Sequence, residues 1–139
     1  MPASRVAVDT NVVLRFLLDD SPAEAKAVER FLRGCRGPDG RAFVSVLVVQ
    51  ECAWVLAGSK LRRTKAEVTR ALFTLIRGEP FEVECEAAVL KACADWLAGP
   101  AELSDYLIGR VNVERGYPQT ATLEKRRLKG SPVFRTLDA

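Results

Sequence analysis

Short apolar runs alternate along this chain with longer stretches in which apolar positions recur at helical spacing. Residues 5–9 (RVAVD) are brief, β-branched and apolar, and predict a buried strand. Ser21-Pro22-Ala23-Glu24 reads as a helix start: Ser21 as cap, Pro22 in the first turn, Glu24 reaching back. That helix should run to about Arg33 and stop in the stretch Gly34–Gly40. Residues 42–45 (AFVS) predict a second strand, leading into a helix from Val46 to Ala57 with Gly58 after its end. Thr64-Lys65-Ala66-Glu67 is a capping box for a helix reaching Arg77. Phe81–Val83 fits a short strand, and Glu86–Ala98 a helix ended by Gly99-Pro100. A further helix should run from Leu103 to Arg115, stopped by Gly116, with strands at Gln119–Leu123 and Val133–Leu137. Strands alternating with helices predict an α/β domain with a mostly parallel sheet. In such sheets, sites form beyond the carboxyl ends of strands. No repeat or linker divides the sequence, so residues 1–139 are expected to form one domain.

Composition narrows the chemistry. The 139 residues are 48% hydrophobic and 28% charged, which suits a packed core and argues against disorder. No apolar run approaches the roughly 18 residues of a membrane span. The start, MPASRVAVDTNVV, has no signal-peptide pattern, so a cytoplasmic protein is expected. The chain contains 0 histidines. That excludes Ser-His-Asp and Cys-His catalysis, imidazole zinc sites and histidine general bases. Cys35, Cys52, Cys85 and Cys93 show no C-x-x-C spacing and are expected as free thiols in a reducing compartment.

The net charge of +3 conceals opposed blocks. Residues 60–77 carry +5 and residues 110–130 carry +4, while residues 78–109 carry −6. An acidic site beside basic surface would steer a polyanion; ordinary solvated helix faces would give the same composition.

Several carboxylates stand in apolar surroundings. Asp9 follows Val6-Ala7-Val8 at a strand's carboxyl end; it fits a metal-binding acid and equally an Asx-turn or helix N-cap. Glu51 lies in VLVVQECAWVLA, a helix apolar on nearly every face, and is expected in or beside the interior. There it would form an ion pair or share a cation with other acids. Glu102 and Asp105 share one face of a helix's first turn, where capping alone also accounts for them; Gly109 and Asn112 lie further along and are candidates to line the same cleft. Glu124 ends another predicted strand. Clustered acids require a neutralising cation, and oxygen donors without His or Cys suit Mg²⁺ or Mn²⁺. Such an ion near basic surface is an apparatus for phosphodiester hydrolysis.

The segments Val8-Asp9-Thr10-Asn11-Val12-Val13-Leu14-Arg15, Val49-Gln50-Glu51-Cys52-Ala53-Trp54-Val55-Leu56, Glu102-Leu103-Ser104-Asp105-Tyr106-Leu107-Ile108 and Thr120-Ala121-Thr122-Leu123-Glu124-Lys125 resemble, in order, the motifs of PIN-domain ribonucleases. Among these the chain looks most like VapC-type toxins of type II toxin–antitoxin pairs. The resemblance implies a three-layer α/β/α fold around a mostly parallel sheet. It also implies a Mg²⁺- or Mn²⁺-dependent endoribonuclease leaving 5′-phosphate and 3′-hydroxyl ends. Asp9, Glu51 and Asp105 match the family's main acids, with Asp9 and Asp105 as metal ligands and Glu51 binding metal or orienting water. Glu102 matches an accessory acid and a further metal ligand, and Thr10 and Asn11 match supporting polar residues. Glu124 matches the fourth catalytic acid but departs from the usual Asp in a Thr-x-Asp context. The implied partners are RNA, a second copy of the chain and an antitoxin.

Arg62, Arg63, Lys65, Lys125, Arg126 and Arg127 are the expected RNA-backbone contacts. Trp54 and Trp96 are expected as core or dimer contacts, and helices 21–33 and 64–77 as dimer or antitoxin surfaces. A phosphatase with D-x-D at the first strand end is disfavoured by Asp9-Thr10-Asn11. A receiver domain is disfavoured because Asp19-Asp20 comes too late. A weakened PIN-like domain that binds RNA or protein without cutting stays open because of Glu124.

Overall fold

The computed structural model describes residues 5–18, 21–35, 37 and 40–138. Asp19 and Asp20, and part of the Gly34–Gly40 stretch, lie outside these. The chain forms two compact units, Met1–Glu84 and Cys85–Ala139.

The first unit contains helices α1 (Thr10–Leu17), α2 (Pro22–Arg33), α3 (Val46–Ala57) and α4 (Lys65–Arg77), and strands β1 (Ala42–Val44) and β2 (Phe81–Val83). β1 and β2 pair in parallel, Phe43 opposite Glu82. The expected strand at 5–9 is reduced to one parallel bridge, Ala7 to Phe43. The Val8 amide donates to Phe43 O and the Phe43 amide to Val6 O, both at 2.9 Å. The chain leaves extended geometry at once because Asp9 caps α1, a helix the apolar pattern did not predict. Val13, Val44, Val49, Leu72, Leu75 and Phe81 are at most 1% exposed. Full burial of side chains this size contributes roughly 1.5–3 kcal/mol each. α3 packs on α1 and α4, and α1 on α2.

Two local expectations fail at the start of α2. Ser21 is the N-cap of α2, yet its side chain makes no capping bond. Glu24 pairs with Arg15 at 2.7 Å instead of reaching back, tying α1 to α2. A cation on a neighbouring helix outcompetes the local amide. By contrast, the capping box at Thr64 and Glu67 forms as predicted.

The second unit contains α5 (Glu86–Ala98), α6 (Leu103–Glu114), β3 (Thr120–Thr122) and β4 (Phe134–Thr136). β3 and β4 also run parallel, Ala121 opposite Arg135. The described strands thus form two separate two-stranded ladders rather than one continuous sheet. α5 and α6 pack together, and Arg110 donates to both carboxylate oxygens of Asp95 at 2.7 and 2.9 Å. Gly109 is buried in this unit, and a Cβ there would lie 2.7 Å from Phe134 Cε2 and 2.9 Å from Val133 Cγ2. Gly109 therefore serves close packing of α6 on the start of β4 and does not line a cleft. Gly116, at φ +96°, ends α6 as anticipated.

Candidate functional site

Carried two residues past the bridge and one past the β1–β2 ladder, the register aligns Asp9, Ser45 and Glu84 at the carboxyl ends of three parallel segments. Two helices start from this edge. The Val12 amide donates to Asp9 Oδ1 at 3.1 Å, capping α1. The Val48 amide donates to Ser45 Oγ at 3.3 Å, capping α3. The Val46 amide donates to Glu84 Oε1 at 2.8 Å. Both helix starts direct positive dipole ends toward the edge, which favours carboxylates and bound anions. Thr10 is buried as the first residue of α1, and Asn11 beside it is exposed. Asp9 is itself exposed.

Glu51 is exposed, which corrects the interior placement expected for it. The helix that looked apolar all round keeps a bare stripe. Leu47 is 80% and Trp54 72% exposed, at positions i−4 and i+3 from Glu51. Trp54 is therefore not a core residue, whereas Trp96 is, at 6% exposure. Cys52, next to Glu51, faces inward; burial, with the Glu51 charge as a lesser cause, pushes its thiol up to about 12.

In the second unit the Glu102 amide donates to Asp105 Oδ2 at 3.1 Å, so the two acids share the first turn of α6. The turn before is fixed by Tyr106, whose hydroxyl accepts from the Ala101 amide at 3.2 Å. Asn112 Nδ2 donates to Thr120 Oγ1 at 2.8 Å, joining α6 to β3 rather than lining a cleft. Glu124 is engaged locally. Its Oε1 accepts from the amides of Arg126 and Arg127, each at 3.0 Å, and its Oε2 lies 3.3 Å from the Arg127 guanidinium. These backbone bonds, Arg127 first, hold its carboxyl below the usual range.

Among the described residues, no group of three or more Asp, Glu or Cys side chains is arranged to hold a metal ion. The acids nevertheless fit a hard dication in kind. Among the described residues, no lysine or arginine pairs with Asp9, Glu51, Glu102 or Asp105. Carboxylate oxygens left without a cationic partner are the donors Mg²⁺ and Mn²⁺ prefer. A groove of about 680 Å³ lies elsewhere, between α1 and α2, lined by residues that include Phe16, Leu18, Val28, Leu32 and Cys35. None of the candidate acids lines it.

Of the candidate RNA contacts, Arg62, Arg63 and Lys65 are exposed around the start of α4. Arg62 has φ +49° and donates to Ser59 O at 3.1 Å, and Arg63 lies 3.9 Å from Glu67. Lys125, Arg126 and Arg127 are exposed after β3, with Lys125 3.6 Å from Asp138.

Residues 6–108 match the PIN domain, across most of the chain and through three of the four motif segments. The chain belongs to the PIN domain family. PIN domains are generally nucleases that use divalent metal ions, and the α/β architecture with parallel strands agrees with that assignment. No curated protein matches the chain. No helix among the described residues is long and apolar enough to cross a membrane.

Sequence reasoning missed Ser45 and Glu84. Glu84 was visible by the rule that singled out Asp9, since it directly follows the short apolar strand Phe81–Val83. Ser45 stood as the last residue of a predicted strand, and only the start of α3 reveals it as a cap.

Proposed function

We propose that this PIN domain is a Mg²⁺- or Mn²⁺-dependent endoribonuclease acting in the cytoplasm as the toxin of a toxin–antitoxin pair. One observation carries the reading. Within the matched segment, Asp9 stands at the carboxyl end of a parallel ladder, exposed and without a cationic partner among the described residues. Asp9 and Asp105 are the proposed metal ligands, with Glu51 and Glu102 in support. The ion, when bound, would polarise a phosphate oxygen and promote water attack on phosphorus. Glu51 orients the water or takes its proton. Thr10 and Asn11 hold the start of α1, and so the direction of the Asp9 carboxylate. Arg62, Arg63 and Lys65, with Lys125, Arg126 and Arg127, bind the RNA backbone as point charges, so affinity falls with salt. No protein nucleophile is needed. The whole chain is proposed as one PIN domain that works as a homodimer and is silenced by its antitoxin.

A second reading is favoured by the Arg127 pairing of Glu124. A PIN-like domain lacking its fourth acid would bind RNA or protein without cutting. Purified protein with Mn²⁺ and a mixed RNA substrate separates the two. The nuclease reading expects cleavage that EDTA stops, that Mn²⁺ restores and that Asp105→Asn abolishes. Intact RNA across several substrates would establish the binding reading instead. The toxin role predicts growth arrest on expression, relieved by a small DNA-binding protein encoded directly upstream.

A further inference from the structure

Glu124 occupies the position of a fourth catalytic acid, yet its contacts describe another task. The turn after β3 is built from successive local bonds. The Glu124 amide donates to Thr122 Oγ1 at 3.0 Å. Glu124 Oε1 then accepts from the Arg126 and Arg127 amides, and Oε2 meets the Arg127 guanidinium. Leu128, 3% exposed, pins the far side of the turn into the unit. The Ser131 amide returns to Leu128 O at 3.1 Å, next to Gly130 at φ +84°. One carboxylate therefore satisfies two main-chain donors and one cation in a segment lacking helix and strand. Around it the chain presents Lys125, Arg126 and Lys129 on the exposed surface. Among the described residues, no carboxylate pairs with Arg126 or Lys129.

From this geometry we infer that Glu124 is a positioning residue: it folds the 124–128 turn into a preformed basic arm that grips the phosphodiester backbone of RNA. This rests on the nuclease reading above for its ligand. It departs from that reading's sequence expectation for Glu124 as a catalytic acid. An arm ordered before binding loses less conformational entropy when RNA arrives. One oxygen of Glu124 thus accepts from the amides two and three residues ahead, as the side chain of a helix N-cap does. An acid so committed gives up lone pairs that a metal ligand would need.

The test uses the full chain and a short fluorescent single-stranded RNA, with binding followed by anisotropy in EDTA, where no cleavage interferes. Glu124→Ala removes every acceptor, while Glu124→Gln keeps an amide oxygen for the two main-chain donors. Expected is a dissociation constant about three- to tenfold higher for Glu124→Ala, with a salt slope shallower by about 0.7 for each phosphate the arm no longer neutralises. Glu124→Gln should recover most of the affinity. With Mn²⁺ present, Glu124→Ala should raise KM far more than it lowers kcat. Equal RNA affinity for wild type and Glu124→Ala overturns the inference and leaves the nuclease reading standing. So does a fall in kcat of about hundredfold or more in both variants at unchanged affinity, the signature of an acid engaged in the chemistry. Wild-type protein that binds no RNA overturns both together.

Discussion

Asp9 does two things that one substitution separates. It caps α1 through the bond from the Val12 amide, and it is the proposed first acid of the site. Asparagine caps a helix about as well as aspartate does. Asp9→Asn therefore keeps the cap and loses only the charge at the helix N-terminus, a cost of about 0.3–1 kcal/mol. Asp9→Ala loses the cap as well, at about 0.5–2 kcal/mol. For a 139-residue chain, 1 kcal/mol moves the melting midpoint by about 3 °C. The expected drops are about 1–3 °C for Asp9→Asn and about 2–9 °C for Asp9→Ala. Cleavage should behave differently, falling at least about hundredfold in both, because several kcal/mol of charge stabilisation depends on the carboxylate. Thermal denaturation by circular dichroism, paired with Mn²⁺-dependent RNA cleavage on a gel, reads both quantities. Asp9→Asn that cuts at the wild-type rate would reduce Asp9 to a helix cap. Equal destabilisation by the two variants would refute the capping argument.

Three further outcomes follow from the packing and the titrating groups. Gly109→Ala places a methyl 2.7 Å from Phe134, and overpacking costs of about 1–3 kcal/mol exceed the roughly 1 kcal/mol gained in helix propensity, so the melting midpoint should fall; a rise would show that Phe134 yields freely. Cys52 favours its neutral thiol in the fold, so its contribution is complete below the ordinary value of 9.0 and is lost as pH rises toward about 12. Denaturant midpoints measured from pH 8 to 11 should decline, and Cys52→Ala should flatten that decline. Glu84→Ala leaves the Val46 amide without its acceptor and should cost about 1–3 kcal/mol in thermal melts, with Glu84→Gln restoring most of it; equal losses would assign Glu84 a purely electrostatic role.

The parts of the fold written in local signals were the legible ones. α3 and α4 run over the residues predicted for them, because Gly58 and the Thr64–Glu67 capping box act on their own neighbours. α1 was not legible. TNVVLRFL continues an apolar run, and only the Asp9 cap turns strand into helix. Glu24 was misread because nearby Arg15 competes for its carboxylate, and sequence does not say which partner wins. Glu51 was placed inside because an apolar helix was taken to be covered on every face, while Leu47 and Trp54 show that one stripe is not. The family itself was legible, since the short motifs around Asp9, Glu51 and Asp105 all lie within the matched residues.

The two tryptophans fall one to each unit, and in opposite surroundings. Trp54 meets water in the native state, so iodide should quench it at once and its emission should hardly change on denaturation. Trp96 is shielded and should shift to the red only when the second unit opens. The protein thus carries two intrinsic optical reporters, one for whatever comes to rest on α3 and one for the integrity of the half that holds Asp105.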